Sequence, residues 1–96
     1  MKFEWDGEKN KINIEKHGID FVDAALIFDN IVLEKEDTRS DYGEKRFIGI
    51  GNVNNIEISI VYTRRRNKIR IISARRARKD ERQKYRSVYQ GYSSEG

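Results

Sequence analysis

The 96-residue sequence predicts an α+β fold: an antiparallel β-sheet meander packed by two N-terminal helices, with a basic C-terminal helix. Three observations predict it. Phe21, Ala24, Ala25 and Phe28 recur at helical spacing, whereas Ile56, Ile58, Ile60 and Tyr62 alternate as in a strand. The turn signals Asn54-Asn55 and Arg66-Asn67 cut the middle of the chain into short β-like runs. From Ala77 to Ser87 β-branched residues are absent while Lys and Arg are dense, which reads as a basic helix.

In chain order, Lys2 to Trp5 alternate polar and aromatic residues and read as a short strand. Asp6 is placed to cap a helix from Gly7 to about His17, with Gly18 as its left-handed stop. Asp20 opens a second helix, with Asp23 in a capping-box-like position, and Asp29-Asn30 ends it. Ile31 to Asp37 reads as a strand, Thr38 to Gly43 as a polar turn, and Arg46 to Gly51 as the next strand. Ile56 to Tyr62 and Lys68 to Ala74 complete the meander. The expected core is one sheet face, Ile48, Ile50, Ile56, Ile58, Ile60, Ile69 and Ile71, under the Phe21/Phe28 helix. The other face is expected to stay partly open beside the last helix. Residues 1–89 form a single domain on this reading, and 90–96 a flexible C-terminal tail. Gly49-Ile50-Gly51 lacks the setting of a nucleotide loop and reads as a bend or bulge.

Composition narrows the chemistry. With no cysteine and one histidine, disulfides, thiolate zinc sites, a cysteine nucleophile and an imidazole-rich metal centre are excluded. No apolar run approaches the roughly 20 residues needed to cross a bilayer, and Met1 to Asp6 has no signal-peptide character. A cytoplasmic protein with no metal, no cofactor and no membrane contact is the expectation. The net charge of +4 conceals an asymmetry. Residues 1–62 carry 8 Lys/Arg against 13 Asp/Glu, whereas residues 63–86 carry 12 against 2. Such clustering suits a polyanion, because cations on a phosphate backbone release condensed counterions.

Several short segments together resemble one family. They are Phe3-Glu4-Trp5-Asp6, Asn13, Lys16-His17-Gly18, Phe21, Ala25 and Phe28, then Glu44, Arg46, Gly49, Tyr62 and Arg64. The run Arg70-Ile71-Ile72-Ser73-Ala74-Arg75 with Ala77, Glu81 and Tyr85 closes the pattern. From Phe3 to about Tyr85 the chain resembles a BrnT-type toxin of a bacterial type II toxin–antitoxin pair. It departs from the family at Gly7, where proline is common; either residue can begin a helix. The resemblance implies a RelE-like fold and a ribonuclease that arrests growth by cutting RNA. It also implies a BrnA-like ribbon-helix-helix antitoxin as partner, with operator DNA met only through the complex.

Metal-free RNA cleavage needs a base for the 2′-hydroxyl, cations for the developing phosphorane charge, and an acid for the leaving oxygen. His17 is the side chain whose ordinary pKa lies nearest neutrality, although a histidine ending a helix also has a structural use at the dipole. Lys16 beside it is a candidate phosphate contact. Glu44 and Arg46 lie two apart and form a candidate base and phosphate contact, or a surface ion pair. Arg64 and Arg75 are the expected phosphate clamps, with Arg70 a further contact, because guanidinium groups bind phosphate bidentately. Tyr62 and Tyr85 are candidates for base stacking or proton donation. Arg64, Arg70 and Arg75 are expected opposite His17 and the Glu44–Arg46 pair. The helix from Arg76 to Arg86 is expected to supply general affinity and a possible antitoxin contact. The competing reading is a non-catalytic nucleic-acid-binding or antitoxin-docking module.

Overall fold

A computed structural model describes residues 1–93, with side chains described through Tyr89. Strand β1 (Lys2–Trp5) leads into helix α1 (Gly7–His17) and the single turn α2 (Phe21–Ala24), which continues as a 3-10 helix (Ala25–Asp29). The meander β2 (Leu33–Asp37), β3 (Arg46–Val53), β4 (Ile56–Arg65) and β5 (Lys68–Arg76) follows, then helix α3 (Lys79–Ser93). The sheet order is β1-β5-β4-β3-β2, antiparallel except for β1, which runs parallel to β5. The chain therefore starts at one sheet edge, crosses a face through α1 and α2, and returns strand by strand to β1. The expected tail overlaps α3 as far as Ser93, and residues 94–96 lie outside the described residues.

Local chemistry accounts for the helices. Asp6 Oδ1 accepts the Glu8 and Lys9 N–H groups at 2.8 and 3.2 Å, and Gly18 closes α1 at φ 70°. Asp20 caps Val22 N–H at 3.0 Å and is itself held by Asn10. Phe21, Ala24 and Ile27 are fully buried, and their spacing of three suits a 3-10 continuation, in which residues i and i+3 eclipse. Asn13 joins α1 to the sheet: its amide donates to Ile19 O, and its Oδ1 accepts Ala74 N–H at 3.1 Å. Ala74 lies beyond the reach of β1, which pairs only with residues 68–71 of β5, so Asn13 satisfies an edge donor that would otherwise be unpaired.

The core differs from the expectation in its β3 contribution. Register places Gly49 opposite Ile60 and Gly51 opposite Ile58, so the glycines share the helix-covered face with those isoleucines. A Cβ on Gly51 would lie 2.6 Å from Ile27 Cβ, and one on Gly49 would lie 2.9 Å from the Tyr62 ring. These glycines thus mark close approach of the helical layer to the sheet rather than a bend. The main core is Phe21, Ala24, Ala25, Ile27, Ile58, Ile60, Tyr62, Ile69, Ile71 and Ala74. Ile48 and Ile50 face the other way, and Ile50 packs with Ala77, Tyr85 and Leu33 beneath α3. Ile56, also expected inside, is 40% exposed near the β3–β4 turn. That turn carries Asn54 and Asn55 at φ 51° and 66°, the left-handed pair of a tight hairpin.

A register shift between β4 and β5 positions the functional face. Val61 pairs with Ser73 but Tyr62 pairs with Ile71, leaving Ile72 as the extra residue of a bulge. The shift keeps Ile69, Ile71 and Ala74 in one core despite their uneven spacing. It also puts Arg70, opposite Thr63, and Arg75, opposite Ser59, on the same face, because Ser59 and Thr63 lie four apart on β4.

Candidate functional site

The sheet face away from α1 and α2 is covered by α3 at one end and open at the other. Its β4–β5 hairpin end carries Lys2, Lys68 and Arg65 side by side across three strands. Like charges directly opposite one another destabilise a sheet, so this exposed row is unfavourable to the fold alone. The next row holds Glu4, Arg70 and Thr63, with Arg46 beside Thr63 one step beyond the Phe47–Tyr62 pair. Ile48, Val61 and Ser73 follow, next to the bulged Ile72. Arg75 lies one row further on, at the margin of α3. The surface is an apolar strip with arginines on both sides.

Carboxylates orient several of these arginines. Arg70 Nη1 donates to Glu4 at 3.1 Å. Arg75 binds Glu81 with two bonds of 2.7 and 3.0 Å, and Glu81 also accepts Arg78 N–H at 2.8 Å. Burial raises the Glu81 pKa, but the Arg75 hydrogen bonds, the Arg78 N–H and both guanidinium charges outweigh it and hold the carboxyl at about 2. Arg46 is different. Its guanidinium lies 4.2 Å from the Tyr42 ring centre, and its buried Nε has no hydrogen-bond partner among the described residues.

The other expected site residues are distributed more widely. Arg64 faces the helix-covered side, opposite Ile69, and so is not on the face that carries Arg70 and Arg75. It pairs with Glu34 at 2.6 Å and lies over the Phe47 and Tyr62 rings. Tyr62 is fully buried, its ring packed by Phe28 and Phe47 and its hydroxyl donating to Glu34. Burial first, and then the Glu34 bond, push that hydroxyl far above the usual phenol range. Tyr85 is buried too: it stacks on Tyr89 and donates to Ile31 O at 3.0 Å, and burial raises its pKa. Neither ring offers a face to a base, which corrects the stacking expectation. Glu44 lies before β3 begins, and it meets Arg65 at 3.3 Å rather than Arg46.

Lys16 and His17 end α1 beside the free edge of β5. With Ile72 and Ser73 they line a groove of about 200 Å³, so the open face and the end of α1 adjoin. Arg78 immediately precedes α3, whereas Arg86 lies within it and pairs with buried Glu57 through two bonds of 2.9 and 2.7 Å. Sequence reasoning passed over Glu4, Asp37, Tyr42 and the orienting role of Glu81. Only the short spacing of Asp37 and Arg39 was a local signal for any of them. Among the described residues no group of three His, Cys, Asp or Glu side chains is placed to hold a metal ion, and no helix is long and apolar enough to cross a membrane.

A small mixed sheet, helix-covered on one face and basic on the other, defines the class: a RelE-like domain. The profile of a family described as "Ribonuclease toxin, BrnT, of type II toxin-antitoxin system" matches residues 5–81. The chain is also similar to the 1.1 Å crystal structure of the Brucella abortus ribonuclease toxin BrnT. Identity is 31% and the TM-score 0.62, covering 82% of this chain and 99% of that one. Among curated protein sequences no match reaches significance. The chain belongs to the BrnT family of ribonuclease toxins of type II toxin–antitoxin systems.

Proposed function

We propose that this chain is a growth-inhibiting, metal-independent endoribonuclease that lays single-stranded RNA across the open half of its sheet. The observation that carries the reading is the bulge at Ile72, which sets Arg70 and Arg75 of β5 on the same face as Arg46 of β3, two strands away across β4. The Lys2–Lys68–Arg65 row, which Glu44 neutralises only at Arg65, extends the same surface and suits a polyanion. In the reaction the 2′-oxygen attacks the adjacent phosphorus, its proton passing to a base. The 5′-oxygen leaves with a proton from an acid, giving a 2′,3′-cyclic phosphate and a 5′-hydroxyl. Arg75, Arg70 and Arg46 grip phosphates along the RNA backbone and stabilise the charge that develops at the reacting one. His17, with Lys16 at the rim of the groove, exchanges the proton. Glu44 acts through Arg65 at the hairpin end, and Arg64 braces Glu34 and Tyr62 from the other face.

The partner on this reading is a BrnA-like ribbon-helix-helix antitoxin that covers the basic face and alone contacts operator DNA. Family membership supports a cognate antitoxin. The test is purified full-length chain incubated with cellular RNA without added metal, the fragments assayed for 2′,3′-cyclic phosphate ends. Such ends, reduced at least about tenfold by Arg75→Ala, are expected. Intact RNA from folded protein would overturn the enzyme reading. Salt-dependent binding without cleavage would replace it with that of a binding module.

A further inference from the structure

Among the described residues Arg46 is the arginine of the open sheet face without a carboxylate partner; Arg65, Arg70 and Arg75 each have one. Asp37 lies directly opposite it in the β2–β3 register and is the natural counter-ion. Both Asp37 oxygens are already taken. Oδ1 accepts Arg39 Nε at 2.8 Å and Arg39 N–H at 3.2 Å; Oδ2 accepts Arg39 Nη2 at 2.8 Å and the Tyr42 hydroxyl at 3.2 Å. The Arg39 hydrogen bonds hold the Asp37 carboxyl well below the usual range against the opposing effect of burial, so it stays an anion committed to Arg39. The same Tyr42 places its ring over the Arg46 guanidinium at 4.2 Å. Arg46 Nε remains buried without a partner among the described residues. Unpaired buried donors are rare in native proteins and concentrate where function requires them.

We infer that the Asp37–Arg39–Tyr42 loop is a positioning device. It sequesters the carboxylate that would neutralise Arg46 and sets the Tyr42 ring against the guanidinium, leaving the charge for a phosphate of an RNA backbone. This rests on the RNA-binding reading above. Arg39 is largely exposed, so its bidentate bond to Asp37 has ordinary surface alternatives; its place in the loop follows from what Asp37 would do without it. The loop does no chemistry itself. It determines whether Arg46 faces the substrate as a free cation or as half of an ion pair.

The experiment measures binding of the full chain to a 2′-O-methyl single-stranded oligonucleotide, which cannot be cleaved, across a salt series. Arg46→Ala is expected to lower affinity roughly tenfold and to reduce the salt slope by about 0.7, the value of one phosphate contact. Arg39→Ala frees Asp37 to capture Arg46 and gives a similar loss. Adding Asp37→Asn to Arg39→Ala restores most of that loss, while Asp37→Asn alone changes affinity less than about twofold. Equal gains from Asp37→Asn in both backgrounds would reveal a general charge effect and overturn the inference. If Arg46→Ala weakens binding but Arg39→Ala does not, the positioning device falls and the RNA surface stands. If the parent chain does not bind the oligonucleotide, both fall. Should Arg39→Ala fail to fold, Tyr42→Leu, which removes both the ring and the hydroxyl, is expected to lower affinity about tenfold, and Tyr42→Phe, which removes only one bond to Asp37, to lower it less; parent affinity in Tyr42→Leu would overturn the inference.

Discussion

The two faces of the sheet are built on opposite principles. On the helix-covered face, Ile58, Ile60, Ile69, Ile71 and Tyr62 close against Phe21, Ala24 and Ile27, and two glycines let the layers approach. On the other face, cations stand abreast, carboxylates hold arginines in fixed directions, and an apolar strip lies open beyond α3. The first face supplies stability. The second accepts like-charge neighbours and an unpaired buried Nε that the first would not tolerate. Stability in this small domain is thus concentrated on one side, which leaves the other side free to carry unfavourable charge.

Substitutions separate the two. Ile60→Ala removes a fully buried side chain from the first face and is expected to lower unfolding free energy by about 3 kcal/mol, measured by urea denaturation. Oligonucleotide affinity should be unchanged where the variant is folded. Gly51→Ala forces a Cβ against Ile27 and is expected to cost about 2 kcal/mol in the same assay. An effect below a few tenths would mean that the layers have slack.

Acid titration reads the second face. The folded-state pKa of Glu81, about 2, lies below its ordinary 4.5, so its contribution to stability is complete above the ordinary value and is lost as pH falls towards 2. The decline in melting temperature from about pH 5 to about pH 2 should be shallower in Glu81→Gln than in the parent. Equal declines would mean that Arg75 is not held by this carboxylate. The smallest expected effect has the most informative sign. Lys68→Gln should weaken oligonucleotide binding about threefold while raising stability by about 0.3 kcal/mol, because it relieves the Lys2–Lys68–Arg65 row.

Local signals made much of this legible in the sequence. Caps at Asp6, Gly18 and Asp20, the Asn54-Asn55 turn, and the alternation in β4 each depend on a few adjacent residues. The phase of β3 did not follow, because Ile48/Ile50 and Phe47/Gly49/Gly51/Val53 both make plausible inner faces until Ile27 and Tyr62 require space. Pairing of β1 with β5 joins residues 66 apart, and no local pattern encodes it. The arginines were visible as candidates, but their grouping was not, since the Ile72 bulge reverses the side on which Arg75 emerges. That bulge separates Arg75 from Arg64 and unites it with Arg70, which simple alternation already sets on the face opposite Arg64.

Amide chemical-shift mapping with the uncleavable 2′-O-methyl oligonucleotide tests the central claim most directly. The account predicts perturbations at Arg46, Ile48, Val61, Arg70, Ile72, Ser73 and Arg75 that weaken together as salt rises. Perturbations confined to α1, α2 and the helix-covered face, with the open face silent, would contradict it.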